Sequence, residues 1–188
     1  MRERSNGMRA EIAHILLALA RESIERTLSG KPPHGPHQMD EQLVEPRGAF
    51  VTIKKAGRLR GCIGNVDPGD PLWETVARMA CAAAFDDPRF DPLTSEELST
   101  VSIEISVLTL PRRITSPDDI HVGTHGLIVE RGSQRGLLLP QVAVEWHWDR
   151  LEFLEQVCHK AGIPADSWQS KDVTLYTFSA DVFTELEG

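Results

Sequence analysis

Gly48-Ala49-Phe50-Val51-Thr52-Ile53 and Leu59-Arg60-Gly61-Cys62-Ile63, joined by Lys54-Lys55-Ala56-Gly57-Arg58, decide the fold. The first run places Ala49, Val51 and Ile53 on one face of a strand. Gly57 supplies a turn, and the second run returns beside the first as a β-hairpin. Val101 to Leu108 then alternates strictly, with Val101, Ile103, Ile105 and Val107 on one face and Ser102, Glu104 and Ser106 on the other. That is a strand buried on one side only, as antiparallel sheets allow. Leu127–Glu130 and Gly136–Leu139 form a second hairpin about Arg131 to Arg135, and Asp172–Phe178 reads as the final strand.

Helices separate these strands. Ile12, Ile15, Leu16, Leu19, Ala20, Ile24 and Leu28 lie at helical spacing, which predicts a helix over 8–28 that Gly30 stops. Leu72 to Phe85 predicts a second, with Val76, Met79, Ala80 and Ala83 buried, Pro71 in its first turn and Asp70 as its cap. Thr94 to Leu98 reads as one turn, and Pro140 begins a loop or helix through Trp146. Arg150–Ala161 carries Leu151, Leu154, Val157 and Cys158 on one face and ends at Gly162. Residues 1–7 are polar and expected to be loose. Asp67 to Pro71, Asp86 to Pro92 and Lys31 to His37 are breaks. Hairpins with isolated helices and irregular links lack the βαβ rhythm, so the class is α+β with antiparallel sheet.

The chain has 188 residues, enough for one domain or two small lobes. Its net charge of −8 opposes phosphate backbones, so nucleic-acid binding is disfavoured. The basic group Lys54, Lys55, Arg58 and Arg60 is small and reads as a solvated hairpin. Cys62, Cys81 and Cys158 have no paired or zinc spacing, which indicates free thiols in a reducing cytoplasm. The longest apolar run, Ile15 to Ala20, is too short for a bilayer, and no signal peptide is seen. There is no P-loop and no dinucleotide fingerprint, so no cofactor is expected.

Cys62 is the residue most suited to chemistry. It stands between Gly61 and Ile63, with Gly64 one step on. Glycines let a ligand or another backbone approach the strand closely. Arg60, two residues earlier, would share the Cys62 face and favour thiolate. The alternative is a small buried cysteine with Arg60 as an ion-pair donor. His125, in Gly123-Thr124-His125-Gly126, is a candidate acid, base or turn residue. Glu104 faces away from the apolar side of its strand. Arg89 can pair with Asp86 or Asp87, or hold a carboxylate or phosphate. Gln141 can offer an amide to a substrate or cap a helix. Trp146, His147 and Trp148 read as an aromatic box or as helix packing, and Cys81 and Cys158 as core. His34 and His37, among prolines, lack further ligands at useful spacing, so that segment reads as a surface loop and no metal is expected.

Several segments occur in one order: Gly48-Ala49-Phe50-Val51-Thr52, Leu59-Arg60-Gly61-Cys62-Ile63-Gly64, Asp87-Pro88-Arg89-Phe90, Ile103 to Leu108, His125-Gly126-Leu127, Gly136 to Val142 and Lys160-Ala161-Gly162. Together they resemble the AMMECR family, whose prokaryotic members are the A protein of the AmmeMemoRadiSam system. The resemblance runs from about residue 10 to 184. It implies a single AMMECR-type domain over 1–188 with two lobes, each an antiparallel sheet with flanking helices. The larger lobe would hold both termini and the smaller would be inserted. It also implies partners, a Memo-like protein and a radical SAM protein, and points to Arg60, Cys62, Arg89, Glu104, His125 and Gln141. The family pattern carries lysine before His125, and this chain has Thr124.

Two functions follow. One is an enzyme or enzyme component in a cleft between the lobes, with Cys62 as nucleophile, His125 as acid or base and Glu104 orienting it. Arg60, Arg89 and Gln141 would hold a small anionic substrate. The other is a non-catalytic scaffold that docks a ligand or partner; its assembly is open, a homodimer included.

Overall fold

The computed structural model describes residues 8–66 and 69–185. The loose N-terminus expected at 1–7 and the Asp67-Pro68 half of the first break lie outside the described residues. The fold is mixed α and β, with two four-stranded antiparallel sheets. The chain divides into two compact units: one runs to Leu108 and resumes at Ala180, the other spans Thr109–Ser179.

The first unit holds helices α1 (Ala10–Leu28), α2 (Glu41–Val44), α3 (Leu72–Phe85) and α4 (Ser95–Leu98). Its strands are β1 (Ala49–Lys55), β2 (Arg58–Asn65), β3 (Val101–Leu108) and β8 (Ala180–Thr184), in the order β2-β1-β3-β8. Val51, Ile53, Ile103 and Ile105 turn one face of the sheet toward Leu16, Ile24, Val76 and Ala80 of α1 and α3, and all are essentially inaccessible. Burying each such side chain is worth about 2 kcal/mol, so this layer is the unit's main source of stability. The alternate residues Thr52, Lys54, Glu104 and Ser106 are half-buried on the other face.

The second unit holds β4 (Arg112–Ile114), β5 (Gly126–Arg131), β6 (Gln134–Leu138) and β7 (Thr174–Phe178), in the order β4-β7-β5-β6. Helices α5 (Pro140–Glu145) and α6 (Arg150–Lys160) accompany it, with Phe153, Leu154, Val157 and Cys158 of α6 buried against Leu127 and Val129.

Four expectations are corrected. Asp70 does not cap α3; its carboxylate takes Arg78 at 2.7 Å, and Pro71 occupies the N-cap position. Leu151 is exposed and Phe153 takes the inner place, because the Asp149–Glu152 capping box sets the rotation of α6. Asp172–Phe178 is not the last strand, since β8 follows and joins the other sheet. Cys81 is half-buried rather than core, with its sulfur 3.4 Å from the Thr27 hydroxyl. Trp148 packs on the core, whereas Trp146, whose ring stacks on it, is exposed.

Candidate functional site

Cys62 sits on β2, an edge strand, opposite Thr52 of β1. Its outward backbone groups are not left bare. The amide donates to Asp87 Oδ2 at 2.8 Å, and its carbonyl accepts from Arg89 Nη2 at 3.2 Å. Asp87 in turn accepts from the Arg89 amide (3.1 Å), Nε (2.9 Å) and Nη2 (2.7 Å). The Asp87-Pro88-Arg89 turn therefore acts as a clasp that satisfies an unpaired sheet edge. Asp87 is 4% exposed, and the Arg89 side chain is 54% exposed. Its bonds to Arg89 and to the Cys62 amide hold the Asp87 carboxyl well below the usual carboxylate range. Arg89 is raised, chiefly by the hydrogen bond to Asp87.

The glycines have a packing explanation. A Cβ on Gly61 would fall on the Ala83 carbonyl oxygen of α3, and one on Gly64 would fall in the ring of Phe50, its partner on β1. The close neighbours are another backbone and an aromatic ring.

Arg60 departs from its expected place. Ile53 opposes Gly61 and Lys54 opposes Leu59, so Arg60 is the extra residue of a β-bulge. A bulge breaks the alternation on which the shared face with Cys62 depended. The Arg60 guanidinium goes to Glu97 of α4 at 2.9 Å, which also takes Lys55 at 2.9 Å, and lies 5.9 Å from the centre of the Phe90 ring. Arg89, not Arg60, is the cation on the Cys62 backbone.

On the other face, the Thr52 hydroxyl donates to Cys62 Sγ at 3.2 Å. Thr52 also opposes Glu104, and Glu104 opposes Thr184, so Cys62, Thr52, Glu104 and Thr184 form one row across the sheet. Glu104 accepts from Lys54 Nζ at 2.8 Å and from Thr184 at 3.2 Å. Two strand spacings separate Glu104 from Cys62, about 10 Å, so the carboxylate does not touch the thiol.

His125 and Gln141 belong to the second unit. The His125 Nδ1 accepts from the His121 amide at 3.2 Å, and its own amide donates to the His121 carbonyl at 2.9 Å, closing the loop before β5. Burial, then the charge of His121, lowers the His125 pKa, so the ring is neutral at neutral pH. Gln141 is exposed on the first turn of α5. The site residues that sequence reasoning missed are Thr52, Lys54 as the partner of Glu104, and Asp87 as the centre of the clasp. The signal for Thr52 was its even position opposite Cys62 in the hairpin.

This architecture has known counterparts. The AMMECR1 family description matches residues 17–183, and the chain belongs to that family. A protein of Methanothermobacter thermautotrophicus is 46% identical over 177 residues, spanning 90% of this chain and 92% of its own. Protein PF1979 of Pyrococcus furiosus is 44% identical, spanning 93% of this chain and 89% of its own. The crystal structure of protein PH0010 from Pyrococcus horikoshii superposes with a TM-score of 0.73 at 43% identity, covering 95% of this chain and 94% of that one. Among the described residues no helix is long and apolar enough to cross a membrane.

Proposed function

We propose that the chain is a cysteine-dependent enzyme component whose working group is the Cys62 thiol on the polar face of the first unit. The observation that carries this reading is the clasp. It fixes a half-exposed guanidinium, Arg89, on the backbone of the one cysteine whose sulfur also accepts from a neighbouring hydroxyl on the same sheet. Together the guanidinium and the hydroxyl set hydrogen-bond donors on the strand segment where a substrate would meet the sulfur. The free N–H groups of Arg89 suit a carboxylate or phosphate, which makes a small anionic substrate the natural choice. Glu104, already paired with Lys54, stands two strands from the thiol in the same row.

The family resemblance adds His125 as acid or base, Gln141 as an amide donor, and a Memo-like protein and a radical SAM protein as partners. His125 would have to release its loop hydrogen bond to act. The free thiols fit a reducing cytoplasm.

The first test is alkylation of each cysteine against pH, read by mass spectrometry on the full chain. Burial pushes the Cys81 and Cys158 thiols up, so both serve as slow internal controls. Cys62 should react faster than either at neutral pH, and Arg89→Gln should slow it. Cys62→Ala should abolish turnover when the chain is combined with its two partners. A Cys62 as slow as Cys158, with turnover intact in Cys62→Ala, sinks the thiol reading. The second reading, a non-catalytic docking module, would then hold. It is favoured by the same bonds, which lock the hairpin into one rigid edge.

A further inference from the structure

The loop 31–37 and helix α1 bring together two imidazoles and a carboxylate that the sequence separates. The Glu22 Oε1 lies 2.7 Å from His34 Nε2, and its Oε2 lies 3.8 Å from His37 Nε2. One ligand atom from each of the three residues lies within 4.8 Å of the others. We propose that Glu22, His34 and His37 form a binding site for one divalent transition-metal ion of the zinc class. The expectation that no third ligand is available to the two histidines is thereby replaced: the third comes from α1, twelve residues before His34.

The donor set fits that ion. Two imidazole nitrogens and one carboxylate oxygen form a familiar open zinc set, with a fourth position left for water or another ligand. Imidazole donors turn such a site away from magnesium and calcium, which prefer oxygen. Ligand atoms around a tetrahedral zinc stand about 3.4 Å apart. The 2.7 Å contact must therefore open by less than about 1 Å, and the wider ones, none above 4.8 Å, must close by up to about 1.4 Å. Side-chain adjustment alone supplies such movements.

A second observation points the same way. His34 Nδ1 faces the Gly35 carbonyl at 2.5 Å. Without a metal both ring nitrogens face acceptors, so Nε2 donates to Glu22; a metal would replace that Nε2 proton and leave Nδ1–H on the Gly35 carbonyl, the outer bond that usually accompanies a metal-bound histidine. The loop is also stiff. Pro32, Pro33 and Pro36 limit its backbone, and Arg26 Nε holds the Pro32 carbonyl at 2.7 Å. Arg26 brings a positive charge near the site, which opposes a cation. Its guanidinium is turned to that carbonyl, so it limits affinity without occupying the ligands.

Access is open. His37 is 83% exposed, while Glu22 and His34 are partly covered. Glu22 and His37 also line a cavity of about 260 Å³ with Ile15, Ala18, Leu19 and Pro36. A ligand completing the metal's coordination would enter from this mostly apolar hollow.

The test is a cobalt titration of the untagged, chelator-stripped full chain, followed by displacement with zinc. The expected result is a 1:1 complex with visible d–d bands of a four- or five-coordinate nitrogen and oxygen site. No sulfur charge-transfer band should appear, and zinc should displace the cobalt while magnesium and calcium do not. His34→Ala, His37→Ala and the isosteric Glu22→Gln should each weaken binding about 100-fold or more. The control is His121→Ala with His125→Ala, which removes the other histidine pair, with rings 5.1 Å apart; it should keep full affinity. Circular dichroism checks that each variant folds. Three outcomes overturn the proposal: no 1:1 complex, which leaves an ion pair only; binding that survives the Glu22, His34 and His37 variants; or binding that is lost in the His121 and His125 control.

Discussion

The two units use glycine in the same two ways. In the first, Gly61 lies under the helix carbonyl of Ala83 and Gly64 lies under the ring of Phe50. In the second, Gly136 of β6 lies under the Val157 carbonyl of α6, and Gly126 of β5 lies under the ring of Phe178, its partner on β7. Each sheet thus presses one helix backbone and one aromatic ring onto missing side chains. The difference is where the glycines fall. In the second unit they sit on two strands with ordinary residues around them. In the first they share β2 and bracket Cys62, and among the described residues only there does a buried carboxylate clasp the strand edge. The glycines of the Cys62 segment are therefore a packing device, and the Asp87–Arg89 clasp is the part that packing does not require.

The largest effect should break the comparison at its base. Gly61→Ala and Gly136→Ala each force a Cβ into helix backbone, which cannot yield as a flexible side chain can. Each should cost roughly 3 kcal/mol or more by denaturant titration. A tolerated change at one position alone would show that the two devices are not equivalent. Next in size is Asp87→Asn, which weakens at once the four clasp bonds that Asp87 accepts. Its expected cost is about 2 kcal/mol, with a faster exchange of the Cys62 amide as the local readout. An unchanged exchange rate would mean that the clasp does not hold the edge.

Acid should separate the units further. Hydrogen bonds from Arg60 and Lys55 lower Glu97 of α4 from its ordinary 4.5 to about 2. A carboxylate depressed in the folded state contributes stability that is full above pH 4.5 and lost as the pH falls toward 2. Its exposure limits this to about 1 kcal/mol. Glu97→Gln should flatten that part of the stability curve between those limits, and an unchanged acid limb would contradict the assignment. The smallest effect is Thr52→Val. It removes the hydroxyl on Cys62 Sγ, should change stability by about 1 kcal/mol or less, and should slow alkylation of Cys62 while leaving Cys158 alone.

Much of the fold was legible because its periodicity was strong. The hairpin at 49–65, the alternation at 101–108 and the apolar stripes of α1 and α3 all appear where the spacing placed them. What escaped had weak or non-local signals. Strand β4 has only three residues, and β8 carries Asp181 and an exposed Val182 on an edge, so neither shows clear alternation. No residue type announces a bulge, so Arg60 was assigned to the Cys62 face by parity alone. Of the candidate site, Cys62 and Arg89 stood out through their neighbours, and the structure joins them. Asp87 was read as one of two partners for Arg89, whereas its bond to the Cys62 amide is a contact across 25 residues. Glu22 was one more polar residue on a helix until the loop folded back upon it.

Strand β8 has a consequence for synthesis. It is made after every strand of the second unit, yet it completes the sheet of the first, where Glu185 just beyond it bonds Arg21 of α1 and the Ile103 amide of β3. On a ribosome the second unit has all its strands as soon as Phe178 has emerged, while the edge of β3 waits for the tail. Strand connectivity alone thus prevents the first unit from being completed before the second has been synthesised, against the usual order of early sequence first. A nascent chain stalled shortly after Ser179 would hold every strand of the second unit while the edge of β3 stays unsealed, a surface for chaperones or premature pairing.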